Sequence, residues 1–140
     1  MENQAAKNWE PIDFTVYFSF IKWWTLLLMG LEIIFHIWAD QSGGGFFYSQ
    51  QELLAWLMRI IIFSLLGWRV VVNFGHALMV GVISGACAGL AVGVAVAIFR
   101  FLSGVQLWKI FNLITESALS TVVGAAVVLL VILIFSFKNN

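Results

Sequence analysis

Three ionisable residues stand out well inside stretches otherwise suited to lipid: Glu32 and His36 in the run 23–38, and Arg59 in the run 53–72. A carboxylate and an imidazole one helical turn apart share a face. Such a pair can exchange protons or bind a cation or substrate in mid-membrane. A guanidinium at the same depth argues against a free proton carrier, because a nearby positive charge favours the ionised carboxylate. Each ionisable group inside a span costs roughly 2.5–3.5 kcal/mol on insertion scales, so each needs a partner, a route to the interface or a function. The tryptophans that bracket the two runs, Trp23 and Trp38, then Trp56 and Trp68, place their middles near Leu31 and Ile62. At about 1.5 Å per residue, Glu32 lies close to the midplane and Arg59 about 4–5 Å to the outside, between Glu32 and His36 in depth. The expected local arrangement is a Glu32–Arg59 ion pair with His36 beside it. It either fixes the register of two helices or, should Arg59 turn outward, leaves Glu32 for transport.

The remaining inventory offers little chemistry. Cys87, the single cysteine, reads as a small buried hydrophobe. His36 and His76 are expected on opposite sides of the membrane, so no metal site is expected, and no cofactor. Gly43 to Gly45 lacks the Lys-Ser/Thr ending of a phosphate loop, and there is no serine elbow. The aromatic residues gather at the ends of the apolar runs, as interfacial belts do. Catalysis is therefore not expected.

Composition states what must position these residues. The chain is 62% hydrophobic and 10% charged, with a mean hydropathy of +1.00, against roughly 45–50% apolar and 25% charged in soluble domains. Its zero formal net charge gives no reason to expect nucleic acid as a partner. At about 20 residues per span, the 140 residues accommodate four membrane helices in one domain. The expected fold is thus an all-α integral membrane protein, a four-transmembrane-helix bundle with short loops. Its spans fall at about 17–39, 53–72, 76–99 and 117–137, behind a polar cytoplasmic tail at 1–13 that lacks the features of a signal peptide.

Two stretches read as interfacial helices. One is Phe14 to Ile21, before span one; the other is Ser103 to Thr115, which serves equally as an extension of span four. Asp40 to Gln51 reads as a loop, with Phe46, Phe47 and Tyr48 resting on the interface. Asn73 and Gly75 suit a tight turn that would make spans two and three an antiparallel hairpin. Glu116 reads as a favourable negative charge at the start of span four.

The third span carries the packing signal. Ala77, Gly81, Gly85, Gly89, Gly93 and Ala97 recur every fourth residue. They form a glycine zipper, a face with almost no side chains onto which another helix can settle at backbone contact. Span four carries a second small face that includes Ser117, Ser120, Thr121, Gly124 and Ala125, its natural internal mate.

Lys7, Lys22, Arg69 and Lys138 on one side, against Arg100 and Lys109 on the other, favour both termini in the cytoplasm of an inner-membrane protein, with dual topology a minor alternative. Lys22 and Arg69 would anchor to lipid headgroups. With so little chain outside the spans, the expected role is a non-enzymatic structural or accessory subunit. It would associate by helix packing with itself, as a homo-oligomer, or with a larger membrane complex. A small ion- or proton-coupled transporter or channel using Glu32, His36 and Arg59 is the alternative, and a pore-forming protein a third.

Overall fold

The chain has one proline, Pro11, ahead of every long apolar run, so nothing in those runs removes a helical N–H or blocks a turn. The computed structural model describes residues 14–41, 46–74, 78–102 and 109–138. Each stretch is one α-helix: α1 (Phe14–Gln41), α2 (Phe46–Phe74), α3 (Leu78–Leu102) and α4 (Lys109–Lys138). Among the described residues, Glu52–Phe74, Leu78–Leu102 and Ile114–Ser136 are long and apolar enough to cross a membrane. Three such helices mark an integral membrane protein.

The helices are longer than the apolar runs, which corrects three local expectations and decides a fourth between its two alternatives. Phe14 to Ile21 is continuous with α1 rather than a separate interfacial segment, because no breaker intervenes before Gly30. Lys109 to Thr115 likewise belongs to α4, the extension reading of that stretch. Asp40 and Gln41 still belong to α1, and Phe46 to Gln51 already form the first turns of α2, so most of the expected loop is helix. Asn73 is helical too: its side-chain amide donates to the Arg69 carbonyl at 2.8 Å, which holds the last turn of α2 instead of opening a turn. Gly43 to Gly45, Gly75, His76, Ala77 and the N-terminal tail lie outside the described residues.

The most extensive packing is of α3 against α4, whereas α2, the sequence neighbour of α3, meets α3 over a much narrower contact than it makes with α4. The reason lies in the small residues. Gly81, Gly85, Gly89 and Gly93 are buried on one stripe of α3 with Ser84, Ala88 and Ala97. A methyl group placed on Gly85 would strike the carbonyl oxygen of Gly124, and one on Gly89 that of Ser120. One on Gly93 would stand 2.7 Å from Ser117 Cα. Only hydrogen in place of Cβ allows two backbones to come this close.

Above and below these contacts the bundle closes on larger side chains. Leu28 from α1, Ile62, Phe63, Leu66 and Val70 from α2, Val80, Val92 and Val96 from α3, and Val128 and Ile132 from α4 form one apolar cluster. Cys87 is exposed, contrary to its reading as a buried hydrophobe. It stands two residues from both Gly85 and Gly89, and two residues turn a helix through roughly 200°, away from the α4 interface.

Candidate functional site

Arg59 is the largest fully buried side chain among the described residues. Helix α2 carries it into the bundle on the stripe that also buries Ala55, Ile62, Phe63 and Leu66, spaced by three or four residues. Its guanidinium donates through Nε to Glu32 Oε1 and through Nη2 to Glu32 Oε2, the latter at 2.6 Å. This is the two-pronged pairing that a planar guanidinium makes with a carboxylate. Glu32 is equally buried, on the inward stripe of α1 with Thr25 and Leu28. One face of the guanidinium lies over the Trp56 ring, 4.4 Å from its centroid, a cation–π contact from one turn away on the same helix.

The site extends beyond the expected pair. Glu116 Oε1 of α4 lies 2.7 Å from Arg59 Nη2. Its other oxygen, Oε2, accepts a hydrogen bond from Arg100 Nη1 of α3 at 3.2 Å. Arg100 Nη2 in turn reaches Glu52 Oε1, near the start of α2, at 3.6 Å. The signs alternate along the chain Glu32, Arg59, Glu116, Arg100, Glu52. Its first four members come one from each helix, and with two acids and two bases they sum to zero.

Glu116 is the residue that sequence reasoning misplaced. Because α4 begins at Lys109, Glu116 stands two turns inside the helix, where it bridges two arginines instead of facing a helix end. Its spacing held the signal. Glu116, Ser120 and Gly124 are four apart, so the carboxylate shares the small face that packs on α3.

The other named residues are dispersed. His36 lies one turn beyond Glu32 in α1, and its side chain is outside those described. Lys22 sits over the Trp23 ring at 5.7 Å, and Arg69 is exposed on α2. Both belong to the opposite end of the bundle from Glu52 and Arg100. Among the described residues, no group of His, Cys, Asp and Glu stands where it could hold a metal ion.

A few polar atoms in the core are unpartnered: Arg59 Nη1 and the hydroxyls of Thr25, Ser84 and Ser120. More exposed hydroxyls behave differently. Ser64, Thr115 and Thr121 each donate to the carbonyl four residues back, at 2.7, 3.1 and 2.6 Å. Searches of family models, curated proteins and solved structures return no match to this chain.

Proposed function

We propose that this protein is a non-enzymatic membrane module, a structural or accessory subunit whose four helices all cross the bilayer and are held in register by buried charge. The observation that supports this reading is the quartet Glu32, Arg59, Arg100 and Glu116: one ionised side chain per helix, paired and neutral in sum. A transport carboxylate must exchange its partner for a proton or cargo. Here Glu32 is bound through both oxygens by an arginine that a second carboxylate also engages. A buried charged network of this kind selects one arrangement of helices over its alternatives, since any slip leaves a charge unpaired in lipid.

The depth of the Glu32–Arg59 pair supports α1 as a fourth span. Trp23 precedes Glu32 by nine residues, and Trp68 follows Arg59 by nine. In antiparallel helices joined at Glu32–Arg59, both tryptophans fall at one level, about 13–14 Å from the ion pair. That is close to half of a hydrocarbon core roughly 30 Å thick. Both rings are exposed, as residues of an interfacial belt are. Lys22 and Arg69 stand one residue further out, at headgroup depth, and the weak excess of basic residues on that side favours cytoplasmic termini.

In this reading the α3 glycines form an internal glycine zipper, mated to α4 and not available to a second copy. Association, with itself or with a larger complex, then uses the bulky outward faces, such as Trp23, Ile34 and Trp38 of α1 and Leu53 of α2. Extraction in mild detergent followed by mass determination tests this. The expected result is a homo-oligomer or a complex of fixed stoichiometry, whereas a lone monodisperse monomer would exclude the subunit role.

A further inference from the structure

Side-chain exposure along the ion-pair chain is graded. It is 48% at Glu52, 21% at Arg100, 14% at Glu116, and 1% at both Arg59 and Glu32. The chain thus leads inward from one end of the bundle, where α2 begins, α3 ends and α4 enters. Glu52 is seven residues from Arg59, so the descent covers about 10 Å along α2. Charged side chains partly open to the outside are costly against hydrocarbon and far less so against water.

At the inner end of that exposure, polar atoms lack partners within the protein. Arg59 Nη1 and Ser120 Oγ are buried without a hydrogen bond, and Ser120 stands one turn from Glu116 on the same face of α4. Unpaired polar atoms next to a group that solvent reaches are the side chains that gain most from water.

We propose that this end of the bundle is an aqueous vestibule with Glu116 at its floor, closed below by the Arg59–Glu32 pair and plugged from above by Arg100. Among the described residues, the charged groups that line it, Glu52, Arg100 and Glu116, sum to −1, which favours water and small cations over anions. Arg100 shields Glu116 by engaging it and Glu52 together.

Carbodiimides test this on the folded protein in lipid nanodiscs, because they activate a carboxyl group only where they can reach it. A water-soluble cationic carbodiimide with glycine methyl ester as nucleophile, read by peptide mass spectrometry, is expected to modify Glu52 and Glu116 and to spare Glu32. Arg100→Gln is expected to raise modification of Glu116 several-fold, with Glu32 still spared as the check that the bundle is intact. Should that variant not fold, the wild-type pattern decides alone. Absence of aqueous modification at Glu116, or modification only by the neutral lipid-soluble dicyclohexylcarbodiimide, would overturn the vestibule and place that carboxylate against lipid. Either failure leaves the register role of the quartet untouched, since that role is read from stability.

Discussion

Arg59 can sit in an apolar bundle because three groups serve it: two carboxylates from other helices and an indole from its own. Its pairing with Glu32 was legible in the sequence, because two charges at matching depth in neighbouring spans each lower the other's cost of burial. The role of Glu116 was masked, although its four-residue spacing from Ser120 and Gly124 held the signal. A glutamate just ahead of an apolar run looks like a helix N-terminus until the true start, Lys109, is known. The partners are not equivalent. Removing Glu116 leaves Arg59 its two bonds to Glu32 and leaves Arg100 its contact with Glu52. Glu116→Leu is therefore expected to destabilise the protein by about 1–3 kcal/mol, less than the roughly 3–5 kcal/mol expected of Arg59→Leu. Denaturant unfolding in bicelles measures both, and the reverse order would show that Glu116 is the principal partner of Arg59.

At the scale of elements, the repeat Gly81, Gly85, Gly89 and Gly93 announced a close helix contact, and Ser120 with Gly124 announced the mate. Helix ends were less legible. Polar and aromatic residues at Asp40–Gln41, Phe46–Gln51 and Lys109–Thr115 look like loop or interface by composition, yet they continue helices beyond the apolar runs. Hydrophobic periodicity reports burial, whereas a membrane helix is held by its own backbone hydrogen bonds and outlasts its apolar part.

The glycines separate contact from composition. A methyl on Gly85 must displace the Gly124 backbone, while one on Gly30 of α1 meets nothing within 4 Å. Gly85→Ala is expected to destabilise by about 1–3 kcal/mol, and Gly30→Ala to be neutral or stabilising by about 0.5–1 kcal/mol. Thermal unfolding of the two variants checks the contrast, and equal effects would contradict the α3–α4 contact described.

For the whole molecule, composition sufficed to indicate a membrane protein, and three helices carry that signature among the described residues. The fourth span is the step that placement of the charges supports. If α1 crosses the bilayer from a cytoplasmic N-terminus, a reporter fused after residue 44 lies outside, and α2, α3 and α4 then return one fused after residue 140 to the inside. Alkaline phosphatase is then expected to be active at the first site and silent at the second, and a fluorescent protein the reverse. The reverse pattern, silent after residue 44 and active after residue 140, would remove α1 from the membrane or invert its orientation.

If buried, mutually neutralising charge holds the helices together, a double-mutant cycle on Glu32 and Arg59 will reveal the coupling. Arg59→Leu alone leaves the Glu32 carboxylate buried without its guanidinium, whereas Glu32→Leu combined with Arg59→Leu removes both charges and keeps the Arg100–Glu116 pair. The unfolding free energy in bicelles is expected to fall further for the single change than for the double, by about 2 kcal/mol or more. Strictly additive losses from the two substitutions would show that the two charges do not hold each other in the bundle.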